Sequence, residues 1–296
     1  MKFFDNNATT PMLSESKTAW LQVQDGFWAN LSAPYQQGVA VRRKLVAKRE
    51  EFAKILKIDA NRLVFTSGAT ESNNGIIRYF STTGADVGKS KEMGYLSTDH
   101  SSVVNSTQAL FGDRANVVVV NHDGVVQLDK LEKMLTKGVV SLFSMSLVNH
   151  ETGTIQPWKA VLDMCHLNNV RLHCDITQCL GKFSLEGFSE IDFLSGSAHK
   201  FGGPKGVGFA VIPSDIDNIC FQEGGGQEGG RRSGTEDVSS IYAMVTALDV
   251  SESVRKGHVE ELEEGRSMFE TCLKAKIKGI HIVSEGVDRI WNTSML

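Results

Sequence analysis

This sequence of 296 residues has few prolines, no excess of basic residues and no long hydrophobic run. Only five prolines argue against a collagen-like chain. The 31 Lys and Arg residues are outnumbered by 35 Asp and Glu residues, which argues against a nucleic-acid-binding surface. The longest apolar-rich run, 139–148, contains three serines and is half as long as a membrane-spanning helix, which needs about 20 residues. We therefore expect neither nucleic acid nor membrane as a partner.

The sequence also lacks a secretory signal and a cysteine framework. An acidic residue, Asp5, stands too close to the start for the apolar core of a secretory signal. The five cysteines are odd in number and show no C-x-x-C spacing, a pattern that favours reduced thiols over disulfides or a zinc site. The predicted protein is therefore cytoplasmic and has no bound metal.

Strand and helix patterns alternate along the chain. Strands are expected near 63–65, 93–97, 116–120, 139–148, 170–175, 193–195 and 208–212, and helices over 38–57, after 71, over 128–135 and 157–168, and from 239 onward. This alternation predicts an α/β fold with a mostly parallel sheet flanked by helices. Ligands of such sheets bind at the carboxyl ends of the strands, so polar residues there form the candidate site.

A lysine follows the predicted strand that ends at Ser195. Lys200 is flanked by small residues, which would let an aldehyde cofactor approach the backbone and form a Schiff base with the amine. Ser197 and His199 could contact a phosphate of that cofactor. The same residues also describe a glycine-rich surface loop with an exposed lysine.

Other strand ends carry polar residues as well. Asp175 could pair with a pyridinium nitrogen and Gln178 could reach a phenolic oxygen, although an aspartate there could also cap the next helix. The turn 67–71 precedes a helix and suits an anion such as phosphate, or else forms a capping box. His100 could stack on a planar ring and exchange protons, or be a polar turn residue.

The order of the polar segments is more specific than any one of them. Along the chain the segments are 5–11, 66–74, 99–100, 149–157, 175–181, 197–206 and 232–235. Together they resemble the cysteine desulfurases of the NifS/IscS type, within the class V aminotransferase superfamily of pyridoxal-phosphate (PLP) enzymes of fold type I. The resemblance covers nearly the whole chain.

The resemblance implies that PLP is the cofactor and gives a role to each candidate residue. Lys200 would hold PLP as a Schiff base and act in catalysis with His100, which would stack on the ring. Asp175 would pair with the pyridine nitrogen, and Gln178 would bond to the phenolic oxygen. Thr235 would reach the phosphate of the partner subunit in a homodimer. The residues that would hold the phosphate within the chain are Ala69, Thr70, Ser197 and His199.

The resemblance also implies a reaction. Sulfur is taken from L-cysteine, alanine is released, and a persulfide is left on an active-site cysteine, from which a sulfur-acceptor protein would take it in iron–sulfur cluster assembly. Two other functions stay open. A class V aminotransferase or β-lyase would need no cysteine nucleophile, and a PLP-binding homologue would lack desulfurase activity.

The chain departs from the family pattern at two positions of the site. His150 stands where the family has an asparagine that contacts cofactor or substrate, and we expect His150 to contact the cofactor there. Tyr35 stands where the family has a histidine at the rim of the site.

The resemblance implies two domains, a large PLP-binding domain over 13–250 and a smaller α+β domain formed by 1–12 and 251–296. The segment 289–296 resembles the part of the family that precedes the loop with the nucleophilic cysteine. The small domain is therefore expected to be truncated at its C-terminus, to end in a sheet strand and to lack the catalytic cysteine loop. We expect Cys174, Cys179 and Cys272 to be packed like small apolar residues.

Overall fold

The computed structural model describes residues 3–83 and 91–296. Its centre is a seven-stranded sheet in the order β1-β7-β6-β5-β4-β2-β3. The strands are β1 (Leu63–Thr66), β2 (Glu92–Leu96), β3 (Ala115–Val118), β4 (Val140–Ser146), β5 (Arg171–Asp175), β6 (Phe193–Ser197) and β7 (Gly208–Val211). Each of these strands was expected from a short apolar run, and the predicted set is confirmed.

Helices cover both faces of the sheet. They are α1 (Ser14–Gly26), α2 (Gln36–Leu56), α3 (Ala69–Thr83), α4 (Ser101–Phe111), α5 (Leu128–Leu135), α6 (Trp158–Leu167) and α7 (Val238–Lys276). The predicted helices are confirmed, but the sequence pattern did not indicate α1 or α4. In the described ranges, no helix is both long enough and apolar enough to cross a membrane.

The unexpected helix α4 is rich in serine, threonine and valine, which have modest helix propensity. Two features compensate for this composition. The side chain of His100 caps the helix by accepting a hydrogen bond from the backbone N–H of Ser102, and Val103 is fully buried. Packing and capping therefore form a helix that propensity alone does not predict.

The sheet is mostly parallel, as predicted. β2 pairs in parallel with β3 and β4, and β5 pairs in parallel with β4 and β6, while β7 runs antiparallel to β1 and β6. Ser146 of β4 lies opposite Asp175 of β5, and Asp175 lies opposite Ser195 of β6. Because these strands are parallel, their carboxyl ends meet at one edge of the sheet.

The two faces of the sheet differ in polarity near this edge. On one face, Leu172 and Leu194 belong to a large apolar core. Since successive side chains of a strand point to opposite faces, Ser144, His173 and Ser195 share the other face, and all three are fully buried. Buried polar groups need hydrogen-bond partners, so this polar stripe indicates a bonded network behind the site.

The end of the chain is not a sheet strand, and that expectation was wrong. Over 277–296, the structure has turns and extended segments without a strand. The buried side chain of Arg289 forms a salt bridge of 2.8 Å with Glu270 of α7, and the backbone N–H of Ile290 bonds to the carbonyl of Gly153. These contacts hold the segment against α7 and the loop after β4. The predicted domain boundary at 250 falls inside α7, and the two-domain division stays a prediction.

Candidate active site

A cleft of about 1120 Å³ opens at the carboxyl edge of the parallel strands. It is assembled from the start of α3, the loop before α4 and the segments at the ends of β4, β5 and β6. Nine of the ten predicted site residues line it, namely Ala69, Thr70, His100, His150, Asp175, Gln178, Ser197, His199 and Lys200. The tenth, Thr235, is exposed before α7 and is not among the lining residues.

Lys200 ends a short 3-10 turn directly after β6. Its Nζ donates hydrogen bonds to the backbone carbonyls of Asn7 (2.5 Å) and Ala8 (2.8 Å). Burial lowers the pKa of Lys200, although the carboxylates of Asp175 and Asp5 act in the opposite direction. A lowered pKa increases the fraction of neutral amine, the form that attacks an aldehyde.

Asp175 ends β5 with only 7% of its surface exposed. Its Oδ2 accepts a hydrogen bond from the side-chain amide of Asn73 at 2.9 Å, and its Oδ1 accepts one from the backbone N–H of Thr177 at 3.0 Å. Donors on both oxygens offset the cost of burying this carboxylate. Asp175 is thereby held at the wall of the cleft, where it can pair with a cationic group.

The amide of Gln178 is held from two sides. Its Oε1 accepts a hydrogen bond from Nζ of Lys182 at 2.7 Å, and its Nε2 donates to the carbonyl of Asn7 at 3.0 Å. Burial lowers the pKa of Lys182 to about 8. Because Lys182 supplies a donor to Oε1, the other end of the amide is left to donate, as a bond to a phenolic oxygen requires.

Two histidines lie next to each other at the cleft. The rings of His100 and His150 meet edge to face, with 5.6 Å between their centroids. Nδ1 of His150 is buried and has no hydrogen-bond partner among the described residues. Burial and the neighbouring His100 lower the pKa of His150, so its imidazole is neutral near pH 7 and can accept or donate a hydrogen bond.

The turn between β1 and α3 forms a candidate anion site. Gly68 has a φ of 152°, which side chains rarely adopt, and a Cβ there would lie 3.3 Å from Oγ of Ser197. The turn delivers Ala69 and Thr70 to the first turn of α3. Backbone N–H groups at a helix start are free to bind anions, and the helix dipole favours them.

The charges around this helix start are partly paired. Glu71 forms a salt bridge of 2.9 Å with Arg232, which neutralises an acidic side chain beside the anion site. Burial, together with Lys200 and Lys205, lowers the pKa of His199 to about 4. His199 is therefore a neutral hydrogen-bonding group, and the two lysines supply the positive charge in this part of the cleft.

Sequence reasoning missed the residues behind the cleft. Asn73 bonds to Asp175, Ser102 bonds to His100, and His173 and Ser195 continue the network below the sheet edge. The feature of the sequence that could have indicated these residues is the alternation of polar with apolar residues in β4, β5 and β6. Strands buried on both faces are normally apolar throughout, so this alternation indicates a buried polar network.

All five cysteines lie in the described residues, and none of them lines the cleft. Cys165, Cys174 and Cys179 are buried, Cys220 is partly buried and Cys272 is exposed. The expectation of packed side chains is therefore confirmed for Cys174 and Cys179 and wrong for Cys272. Cys272 lies on a solvent-facing part of α7.

Comparisons with known proteins agree with this geometry. The model of the class V aminotransferase family matches residues 2–285. A NifS/IcsS protein homolog of Lactobacillus delbrueckii subsp. bulgaricus is 34% identical over 96% of the chain and 74% of its own length. A cysteine desulfurase of Cereibacter sphaeroides is 31% identical over 99% of the chain and 75% of its own length.

Solved structures give the same result. A NifS-like protein superimposes with a TM-score of 0.89 at 31% identity, covering 97% of this chain and 79% of that chain. SspA in complex with cysteine superimposes with a TM-score of 0.78 at 27% identity, covering 84% and 72%. The resemblance to NifS/IscS proteins and the type I fold predicted from the motifs are confirmed. The chain therefore belongs to the class V aminotransferase family and is a relative of the NifS/IscS cysteine desulfurases.

Proposed function

We propose that this protein binds PLP and acts on L-cysteine as a desulfurase. The observation that carries the proposal is the convergence of three groups in one cleft. A lysine with a lowered pKa, a buried carboxylate and a helix start suited to an anion all line it. These are the groups that an aldehyde, a protonated pyridine ring and a phosphate require.

The polar atoms of the cleft fit this cofactor. Nδ1 of His150 and Oγ1 of Thr177 are buried, belong to residues that line the cleft, and have no partner among the described residues. Buried polar atoms left without partners are costly, and a polar ligand in the cleft would supply partners. When bound, PLP supplies an electron sink for the carbanion formed next to the substrate amino group.

Each residue that lines the cleft would have its own role at the cofactor. Lys200 would hold the cofactor and move a proton at the substrate Cα through its Nζ. Asp175 would keep the pyridine nitrogen protonated, because a buried carboxylate stabilises a cation beside it. Gln178 would donate to the phenolic oxygen, and His100 would cover the ring. The phosphate would be held by Ala69, Thr70, Ser197 and His199.

L-Cysteine is the substrate favoured by the comparisons. Relatives over nearly the whole chain are named cysteine desulfurases, and a structural neighbour is a complex with cysteine. The expected products are alanine and a sulfur atom passed to a thiol. Since none of the five cysteines lines the cleft, we propose that the receiving thiol comes from outside this set. A homodimer and a sulfur-acceptor protein are part of the proposal.

The cofactor assignment is tested by trapping PLP on the protein. After incubation with PLP and reduction with borohydride, we expect peptide mass analysis to find the modification on Lys200. Lys200→Ala should abolish it, while Lys133→Ala, at an exposed lysine of α5, should leave it unchanged. Modification of Lys200→Ala at the wild-type level would refute the assignment.

A β-lyase or aminotransferase is the second candidate, and two observations favour it. The cleft contains His150 in place of the family's asparagine, and it contains no cysteine. The products separate the candidates. With L-cysteine, an added dithiol and 2-oxoglutarate as amino-group acceptor, a desulfurase yields alanine and sulfide, a β-lyase yields pyruvate, ammonia and sulfide, and an aminotransferase yields the sulfur-containing keto acid and glutamate. Alanine without pyruvate and without the sulfur-containing keto acid would exclude the second candidate.

A further inference from the structure

A chain of hydrogen bonds runs through the protein interior behind the cleft. It begins at Ser144 of β4, passes through His173 of β5 and Ser195 of β6, and reaches Asn73 of α3. These four side chains are fully buried. At Asn73 the chain divides, and its two branches end at the cleft residues Asp175 and His100.

The two branches start from one amide group. Nδ2 of Asn73 donates to Oδ2 of Asp175 at 2.9 Å and to Oγ of Ser102 at 2.9 Å. Ser102 in turn lies 2.8 Å from Nδ1 of His100. Because a side-chain NH2 group has two hydrogens, Asn73 uses both of them, one for each branch.

Chemistry fixes the orientation of this amide. An ionised carboxylate only accepts hydrogen bonds, so the NH2 group of Asn73 must face Asp175. Oδ1 of Asn73 then faces Ser195, which must donate its hydroxyl hydrogen at 2.5 Å. Because the hydroxyl hydrogen of Ser195 is used in this bond, its Oγ must accept a hydrogen bond from Nε2–H of His173 at 3.0 Å. Nδ1 of His173 then accepts a hydrogen bond from the hydroxyl of Ser144.

This direction is consistent with the state of His173. Burial lowers the pKa of His173 well below its ordinary value, so the ring is neutral, with one nitrogen as donor and the other as acceptor. The hydrogen-bond chain requires a neutral ring, because Ser195 must accept a hydrogen bond from His173 while it donates its own hydrogen to Asn73.

The same logic fixes the hydrogen on His100. Ser102 Oγ accepts from Asn73 and therefore has its single hydrogen free for Nδ1 of His100. The backbone N–H of Ser102 donates to the same nitrogen at 3.1 Å. With two donors aimed at Nδ1, that nitrogen carries no hydrogen, and the ring of His100 carries its hydrogen on Nε2.

We infer that Asn73 is a positioning residue of the cleft, whose amide holds the carboxylate of Asp175 and, through Ser102, fixes His100 as the Nε2–H tautomer. The inference about the tautomer depends only on the hydrogen bonds from Asn73 through Ser102 to His100. Its consequence for the cofactor rests on the proposed function, since Asp175 and His100 are the groups expected at the PLP ring.

The test compares the apoprotein with three variants by 15N NMR of labelled histidine, with the His100 signal identified by its loss in His100→Gln. Asn73→Asp keeps the size of the side chain but removes both donors, and Ser102→Ala cuts only the branch to His100. Thr107→Val is the matched control, because Thr107 is a fully buried polar residue of α4 whose hydroxyl bonds only weakly to Met93, at 3.4 Å.

We expect the Nε2–H tautomer of His100 in the wild type and in Thr107→Val. In Asn73→Asp and Ser102→Ala, the ratio of Nε2–H to Nδ1–H should fall by roughly tenfold, the effect of losing about one hydrogen bond. Thermal melting of each variant establishes that it is folded. An unchanged tautomer in both folded variants, or Nδ1–H in the wild type, would overturn the inference.

Titration with PLP then measures the consequence for the cofactor. Asn73→Asp, which affects both branches and places a second carboxyl group beside Asp175, should weaken PLP binding by at least tenfold. Ser102→Ala should weaken it less, and Thr107→Val by less than about twofold. Equal affinity for Asn73→Asp and the wild type would overturn the positioning role. If the wild type binds no PLP, the proposed function fails, while the tautomer result still decides the inference about Asn73.

Discussion

Asp99 joins the ends of two strands from inside the protein. Its Oδ2 accepts a hydrogen bond from the backbone N–H of Leu96 at 2.9 Å, and its Oδ1 accepts one from Ser146 at 2.6 Å. Burial raises the pKa of Asp99 to about 7, although the two backbone donors act to lower it. The carboxyl group next to the cleft residue His100 therefore titrates near neutral pH.

Asp99→Asn should change how stability depends on pH. Between pH 4 and pH 7 the folded protein keeps a proton on Asp99 that the unfolded chain releases, so the contribution of Asp99 to the free energy of unfolding falls as pH rises. The variant lacks this titration. Its free energy of unfolding relative to the wild type should therefore increase across the window, by up to about 4 kcal/mol.

Urea denaturation at a series of pH values measures this difference. Asp25→Asn is the control, because it removes a carboxylate that is exposed rather than buried, at a position in α1. A difference between Asp99→Asn and the wild type that stays constant from pH 4 to pH 7 would contradict the prediction.

At the residue scale, the sequence predicts the groups that face the cleft better than those behind it. Asp175 and Lys200 could be placed because each follows an apolar run that forms a strand, and parallel strands align their carboxyl ends. Asn73 could not be placed at the site from the sequence, because its role depends on which face of α3 lies against β5 and β6. Its neighbour Asn74 has the same side chain, yet its Nδ2 donates to the carbonyl of Thr70 within α3 and its Oδ1 accepts from Ser106 of α4, away from Asp175.

At the scale of elements, the turn from β1 into α3 depends on one glycine. We expect Gly68→Ala to lower the free energy of unfolding by about 1–3 kcal/mol, because a side chain at this φ is strained. It should also weaken PLP binding, because the strain is relieved by moving the start of α3. Gly257→Ala is the control, because here the change to alanine should raise the free energy of unfolding. Gly257 lies inside α7 with open space around its Cα, so alanine should stabilise the helix by up to about 1 kcal/mol.

Urea denaturation and PLP titration of both variants check this prediction. Equal stability of Gly68→Ala and the wild type would contradict it. The same contrast explains what the sequence could not predict among the elements. The strands follow from local apolar runs, whereas α4 depends on the His100 cap and on the burial of Val103, contacts that form only in the folded protein.

At the scale of the whole molecule, the two ends of the described chain meet at the cleft. Nδ2 of Asn7 donates to Oγ1 of Thr293 at 2.8 Å and to the carbonyl of His150 at 3.1 Å, and Asn292 donates to Oδ1 of Asn7. The carbonyl of Asn7 also accepts from Lys200. The site is thus assembled from positions almost 290 residues apart, a closure that no local pattern in the sequence predicts.

The proposed homodimer would extend this assembly across two chains. Thr235 is exposed and outside its own cleft, as a residue that serves the partner's site would be. In a twofold-symmetric dimer both sites are equivalent, so each would combine Lys200 of one chain with Thr235 of the other. Variants at the two positions should then complement each other only when they are mixed in one dimer.

We expect Lys200→Ala homodimers to trap no PLP, and Thr235→Ala homodimers to trap little at a PLP concentration that just saturates the wild type. A heterodimer with one chain of each kind has one intact site, formed by Lys200 of the Thr235→Ala chain and Thr235 of the Lys200→Ala chain. Co-expression with two different tags and sequential purification isolates it. Borohydride trapping should then modify the Thr235→Ala chain at close to the wild-type level per site. Trapping no greater than in the Thr235→Ala homodimer would show that Thr235 does not act across the interface, and a monomeric mass in solution would exclude the dimer itself.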